Sequence, residues 1–200
     1  MYEKKNKTLK VLVAVLSVIL VMCLTVAGTL AYLQVKTEPV VNTFSPSNID
    51  LTLVETNVDG DSDKENAYKM VPGTDISKDP KVTVVADVAC YVFVVVNAEN
   101  GVKLEGQSTA TDYITYAVAA GWNLLDGTTN VYYQTVAADQ EFEDVAVLVG
   151  NKVHVLDTVT KQMMEDAKTT VPKLTFTAYA VQQDGLTVVQ AWQQAQTLAN

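Results

Sequence analysis

The chain of 200 residues contains no arginine, a single histidine and only two cysteines, and each shortage argues against a class of function. A protein that binds nucleic acid needs a basic surface to neutralise phosphates, and arginine is the side chain best suited to that task. This chain is acidic, with a formal net charge of −9. We therefore expect no nucleic acid among its partners.

The shortage of reactive side chains also limits enzymatic chemistry. His154 stands alone between two valines, and a zinc site built on histidines needs two or three of them. We interpret His154 as an ordinary strand residue. The metalloprotease, nucleophile-elbow and phosphate-loop motifs are absent as well. The sequence predicts no catalytic residue and a protein that is not an enzyme.

The N-terminus combines a basic start with an apolar run. Four lysines lie in the first ten residues, and the 23 residues Val11–Leu33 carry no charge. About 20 apolar residues span a bilayer, and small residues at the end of such a run are typical of a secretory signal. We predict that residues 1–31 form a signal peptide, an apolar helix cleaved at a junction made by Thr29, Ala31 and Tyr32. The alternative is a retained single-span anchor.

Cleavage after Ala31 changes both the charge and the cysteine count. The mature chain keeps 10 lysines and 22 acidic residues, a net charge of −12, which favours a soluble secreted protein. Cys90 is then the one cysteine left, so an intramolecular disulfide is impossible. Its alternation with Val88 and Val92 predicts a small buried hydrophobe, and an intermolecular disulfide is the alternative.

Alternating apolar residues predict a series of short strands over residues 49–200. Ile49–Glu55 reads as a half-buried strand. The valine-rich stretch Val82–Val96 is the most strand-like, and its end, Tyr91–Val96, is apolar on both faces, which indicates a central strand. Further strands are predicted at Tyr113–Ala119, at a hairpin from Trp122 to Tyr133, and at Phe142–Val149, Lys152–Leu156 and Leu174–Gln182.

Two short helices complete this prediction, at Val159–Lys168 and Val188–Leu198, with Trp192 as a core anchor on the second. Eight or so short strands with few helices predict an all-β fold. We expect an antiparallel, jelly-roll-like β-sandwich with short helices, preceded by the N-terminal signal or transmembrane helix.

An acidic run between the first two predicted strands is the best metal candidate. Asp59, Asp61 and Asp63 alternate, and alternate aspartates can direct oxygens at Ca²⁺. Lys64 stands where an EF-hand loop has glycine, and no helices flank the run. A calcium site and a solvated loop are the two alternatives.

The segment between the apolar run and the first strand has no evident place to pack. We call residues 32–48 the arm. Pro39 and Pro46 interrupt it, and an extended segment of this kind can add as a strand to an exposed sheet edge of another copy. The alternatives are a first strand of its own domain or a linker. The arm is rich in residues that favour strands, among them Tyr32, Val35, Val40, Val41 and Phe44.

Several short motifs follow one another along the chain: Gly28–Tyr32, Asn42–Phe44, Ile49–Leu51, Val71–Gly73 with Lys78–Val82, Gly121–Trp122 with Asp126–Gly127 and Tyr132–Tyr133, and Ala178–Gln182 with Ala191–Trp192. Taken in this order, they resemble the TasA/camelysin family, whose members are secreted through the SipW-type signal peptidase. Tyr32 is followed by Leu33–Lys36, where family members often carry a short acidic or polar turn, and this departure weakens the match at the junction.

The resemblance implies a jelly-roll protein exported from a Gram-positive-type cell into the extracellular space, the cell surface or the biofilm matrix. TasA-like members assemble into matrix fibres, in which the N-terminal segment of one subunit completes the sheet of the next. The implied partners are a signal peptidase of the SipW type, further copies of the chain and other matrix proteins. The alternatives are a camelysin-type surface metallopeptidase and a monomeric membrane-anchored surface-binding module.

Overall fold

The computed structural model describes residues 3–31, 48–56 and 66–198, with the side chains of residues 7–22 in the first range. The chain divides into two compact units, Met1–Ser45 and Pro46–Asn200. Its described elements, in chain order, are α1 (Glu3–Ala31), β1 (Ile49–Val54), β2 (Asp75–Ser77), β3 (Lys81–Ala86), β4 (Cys90–Glu99), β5 (Val102–Leu104), β6 (Ile114–Tyr116), β7 (Asn123–Leu124), β8 (Val131–Val136), β9 (Phe142–Ala146), β10 (Lys152–Val155), α2 (Lys161–Asp166), β11 (Lys173–Gln182) and α3 (Val188–Thr197).

The first unit contains the helix α1. It has no proline, and its first glycine is Gly28, so nothing before the last turn interrupts its backbone hydrogen bonds. Among the residues that the structure describes, no helix combines the length and the apolarity that crossing a bilayer demands. Of the predicted cleavage residues, Thr29 and Ala31 end the helix, and Tyr32 lies outside the described residues. The signal-peptide assignment stays a prediction.

The second unit is mostly β, in three sheets. Sheet A has the strand order β1-β3-β9, sheet B β2-β10-β6-β5, and sheet C β11-β4-β8-β7. Every described strand pair is antiparallel except β5 with β6, which is parallel. The purely antiparallel prediction is therefore wrong for that pair. The connection from Glu105 to Tyr113 crosses back before β6 begins, so both strands run in the same direction.

The central part of β4 in sheet C is covered on both faces, as the doubly apolar stretch Tyr91–Val96 predicts. One face of β4 contributes Cys90, Val92 and Val94 to a core shared with side chains of sheets A and B. The other face contributes Phe93 to a second cluster beneath α3. β4 lies between β11 and β8, which confirms the prediction of a central strand.

Helix α3 begins and packs as its sequence predicts. Thr187 caps its N-terminus in a capping box with Gln190, and Ala191 and Ala195 are fully buried against sheet C. Trp192 lies beside the second cluster, with its ring centroid 5.4 Å from that of Phe93. The predicted role of Trp192 as a core anchor is confirmed.

The valine-rich stretch Val82–Val96 is two strands rather than one. A turn at Asp87–Ala89 separates β3 from β4, and Val88 lies in it instead of continuing the row of Cys90 and Val92. Asp87 stabilises this turn because its carboxylate accepts a hydrogen bond from the backbone N–H of Asn48, at 2.9 Å. Apolar periodicity alone does not show such a reversal.

Candidate functional site

Two strands end their sheets on the same side of the second unit. β1 is an edge of sheet A and pairs with β3, and β11 is an edge of sheet C and pairs with β4. Within the described parts of the chain, neither strand has a second hydrogen-bonded strand neighbour. The two edge strands lie close to each other. We call the surface formed by β1 and β11 the open side.

Core side chains in the middle of the sheets are buried more completely than those at the open side. Val84 of β3 and Val92 of β4 are at most 1% exposed. The apolar side chains that β1 and β11 turn towards the same core remain only partly buried, and further burial of such surface is favourable by about 25 cal/mol per Å². These side chains are Ile49, Leu51, Leu53, Leu174, Phe176 and Ala178.

Backbone groups without a strand partner among the described residues accompany these side chains. Alternate residues of an antiparallel strand bond to the same neighbour. The N–H of Gln183 bonds to the carbonyl of Ala89, so the odd-numbered residues of β11 face β4. The N–H of Asp87 bonds to the carbonyl of Asn48, so the even-numbered residues of β1 face β3. The remaining backbone groups point away from the sheets, at Ile49, Leu51 and Leu53 of β1 and at Leu174, Phe176, Ala178, Ala180 and Gln182 of β11.

A half-buried ion pair closes one end of the open side. Lys78 Nζ lies 3.0 Å from both carboxylate oxygens of Glu55, and the hydroxyl of Tyr68 donates to Glu55 Oε1 at 2.6 Å. The ammonium also lies 5.3 Å from the ring centroid of Tyr68 and 5.5 Å from that of Phe176. This group, Glu55, Tyr68, Lys78 and Phe176, is the lysine cluster. It links the segment after β1 to β11.

The described part of the second unit begins at the opposite end of the open side. Asn48, the last residue of the arm and the one arm residue that the structure describes, is held by Asp87 and also donates from its side chain to Asp50 at 2.8 Å. A shallow groove of about 580 Å³ lies at this end, between the Asp87–Ala89 turn and residues 182–186. The residues of the arm named above, Tyr32, Val35, Val40, Val41 and Phe44, lie outside the described residues.

The lone histidine takes part in a surface ion-pair group. His154 Nδ1 lies 2.8 Å from Asp75 Oδ1, and Lys152 Nζ lies 2.6 Å from Asp75 Oδ2. The hydrogen bond from Lys152, followed by that with His154, lowers the pKa of the Asp75 carboxyl below its ordinary value. The group ties the short edge strand β2 to β10. His154 is partly exposed on its strand, which confirms its interpretation as a strand residue.

The structure does not bring the histidine and the cysteine together. Cys90 lies in β4 of sheet C and His154 in β10 of sheet B, and Cys90 is fully buried. Burial raises the pKa of the Cys90 thiol, which is the opposite of what an activated nucleophile requires. The prediction of a small buried hydrophobe is confirmed, and the folded domain offers no exposed Cys90 thiol for an intermolecular disulfide.

The calcium prediction falls outside the described part of the chain. Asp59, Asp61 and Asp63 belong to residues 57–65, which the structure does not describe. In the ranges that it does describe, no three side chains of histidine, cysteine, aspartate or glutamate lie close enough together to hold a metal ion. The metal assignment stays a prediction.

The fold and the open side define a class of protein: a mostly β domain whose core is incompletely covered along two neighbouring edge strands. No protein-family model, curated protein or solved structure matches the chain. The resemblance to the TasA/camelysin family stays a prediction that rests on the sequence motifs. The open side was not predicted from the sequence, because apolar periodicity identifies a strand without showing which strand ends a sheet.

Proposed function

We propose that this chain is a secreted structural protein of the extracellular or biofilm matrix, which assembles into fibres by donor-strand addition. The arm of one copy, residues 32–48, adds as a strand to the open side of the next copy. The observation that carries the proposal is the open side itself, with its partly exposed core side chains and its unpaired backbone groups. The arm is a segment of matching character, because it is rich in residues that favour strands.

An added strand stabilises both the outward backbone groups of the edge and the partly exposed apolar side chains beside it. Backbone groups at the edge exchange water for inter-strand hydrogen bonds, and apolar side chains of the arm cover the exposed core. Burying Phe44 alone contributes about 2 kcal/mol. The other apolar arm residues that face the core add to this contribution. Repeated addition, one copy to the next, produces a fibre.

Export would control when assembly begins. In this proposal residues 1–31 are a signal peptide that keeps the arm tied to the membrane, and a signal peptidase of the SipW type frees the arm by cutting after Ala31. The domain from residue 49 adopts a jelly-roll-like sandwich. The mature net charge of −12 keeps the exported copies apart by mutual repulsion until a change of conditions favours association.

The test compares two purified chains, Tyr32–Asn200 and Asn48–Asn200, by negative-stain microscopy and size-exclusion chromatography. We expect fibres from the first and soluble, folded monomers from the second. Phe44→Leu is the matched control for Phe44→Asp in the longer chain, since leucine keeps an apolar side chain at this position. Monomers from both chains, under all conditions tried, would contradict the proposal.

A further inference from the structure

We propose that β11, and not β1, is the strand that receives the arm of another copy. This inference rests on the proposed function and names its acceptor: sheet C gains a fifth strand beside β11. Sheet A and the edge of β1 remain as they are. The two edges of the open side differ in length, in their unpaired groups and in their protection, and each difference favours β11.

β11 presents the longer and more regular template. It pairs with β4 over ten consecutive residues, from Lys173 opposite Glu99 to Gln182 opposite Cys90, with no shift of register. Its outward backbone groups belong to the five even-numbered residues from Leu174 to Gln182, whereas the six-residue strand β1 offers three such residues. More outward groups allow more inter-strand hydrogen bonds to an added segment.

β11 also lacks the features that normally protect an edge. Natural edge strands are kept short, bulged, or marked by charged residues and proline. Three of the other described edge strands are only two or three residues long, namely β2, β5 and β7. The edge strand β9 has a shifted register and carries Glu143 and Asp144. The edge strand β1 carries Asp50. From Leu174 to Val181, β11 carries neither charge nor proline. A long, regular and unprotected edge is one that a partner segment covers.

The arm contains a segment of the right length and character. Pro39 and Pro46 lack an N–H and bracket Val40–Ser45, six residues without charge. Extended, these six residues span about 20 Å. This length matches the stretch of β11 from Leu174 to Ala180 to within about one residue. Val40 and Phe44 share one face of such a strand and would lie over the core, next to the side chain of Phe176.

The opposite face of the pair is also compatible. Thr175 and Thr177 of β11 are exposed on the α3 side of sheet C. Val41 and Thr43 of the arm would lie on this face when Val40 and Phe44 cover the core. Threonine beside threonine or valine is a favourable cross-strand neighbour, because branched side chains pack well on a pleated surface and hydroxyls can bond to each other.

The arm of the same copy is the competing occupant. The N–H of Gln183 bonds to Ala89, so the end of β11 lies at the turn that also holds Asn48. A copy that filled its own edge would have to reverse its chain within Ser45–Asn48. A second copy imposes no such reversal. Self-occupation is a separate outcome of the experiment below.

Disulfide trapping distinguishes the acceptors. One chain, a size-tagged Tyr32–Asn200, carries Thr43→Cys in its arm. The other chain is untagged and carries either Thr177→Cys on β11 or Thr52→Cys on β1. Thr177 and Thr52 are both exposed on edge strands. Mixed chains are allowed to form fibres, oxidised, and run on a non-reducing gel. We expect a heterodimer band from the Thr177 pair at least about ten-fold stronger than that from the Thr52 pair, because directly opposite strand residues come within disulfide reach.

The outcomes separate this inference from the proposed function. No fibres from the unmodified chain would refute the proposed function. Fibres with preferential trapping at Thr52 would leave that function standing and overturn β11 as the acceptor. A chain carrying both Thr43→Cys and Thr177→Cys that closes on itself as a monomer would show self-occupation, and a homodimer of Thr177→Cys would show β11 pairing with β11. Both results would overturn the inference.

Proline substitution gives a second, independent readout. The N–H of Ala180 points away from β4, so Ala180→Pro removes a donor from the free edge without breaking the ladder to β4. We expect this variant to remain folded by circular dichroism and to stop fibre growth. Fibres of normal abundance from folded Ala180→Pro would contradict the inference, and if the variant fails to fold, the trapping experiment decides alone.

Discussion

Removing the carboxylate of Glu55 should destabilise the domain much more than removing an exposed carboxylate. Lys78 is only 11% exposed in its side chain, and its ammonium lies 5.3 and 5.5 Å from the centroids of two aromatic rings, with Glu55 as its ion-pair partner. In Glu55→Ala the ammonium would stay in this half-buried position without its counter-charge.

The magnitude follows from the geometry. Two unit charges 3.0 Å apart attract by about 5.5 kcal/mol at an effective dielectric constant near 20, and desolvation offsets more than half of this. Losing one partner of a fully buried pair costs about 3–5 kcal/mol. Because the Glu55 side chain is 20% exposed, we expect Glu55→Ala to lower the free energy of unfolding by about 2–3 kcal/mol.

The assay is urea unfolding of the Asn48–Asn200 chain, with a double-mutant cycle that adds Lys78→Met. The cycle should give a coupling of about 1–2 kcal/mol between the two side chains. Glu165 and Lys168 form the control pair, since their side chains are 54% and 68% exposed. Their coupling should stay within about 0.5 kcal/mol. Equal couplings for the two pairs would refute the reasoning, since it assigns the difference to burial.

Three further predictions concern the core and the arm. Burial raises the pKa of Tyr116 to about 12. The contribution of the neutral Tyr116 hydroxyl to the stability of the fold is therefore complete below pH 10, near the ordinary pKa of tyrosine, and is lost as the pH rises towards 12. Urea titrations should show a drop in the free energy of unfolding across this window, of which Tyr116 contributes up to about 2 kcal/mol and which Tyr116→Phe should reduce; an unchanged drop in that variant would contradict it. Trp192→Ala should cost about 3 kcal/mol, since the ring packs on Phe93 and Tyr179, and thermal unfolding tests this. Phe44→Asp should leave the monomer folded while stopping fibre growth, as seen by microscopy; normal fibres would refute the role of the arm.

Periodicity predicted the long elements well. The alternation in Ile49–Glu55 and Leu174–Gln182, and the helical spacing in Val188–Leu198, correspond to β1, β11 and α3. The doubly apolar stretch from Tyr91 to Val96 marked β4 because a strand covered on both faces has no polar side to alternate. In each case the local pattern and the tertiary burial agree.

Short elements and long-range pairings could not be predicted in the same way. β2 and β5 have three residues each, too few for alternation to be distinguished from a loop. The parallel pairing of β5 with β6 depends on the course of the connection between them. The lysine cluster joins Glu55 to Lys78, 23 positions later, through packing against Phe176, and no local spacing encodes such a contact.

The central claim, that the arm binds the open side of a separate copy, is tested most directly with the arm as a free peptide. The Asn48–Asn200 chain is titrated with a peptide of residues 32–47, and with the same peptide carrying Phe44→Asp, while its thermal unfolding is recorded. A ligand that binds the folded state at about 100 times its Kd stabilises it by about 2.7 kcal/mol. The account predicts a saturable rise in Tm with the first peptide and none with the second. An unchanged Tm with both peptides at millimolar concentration would contradict it.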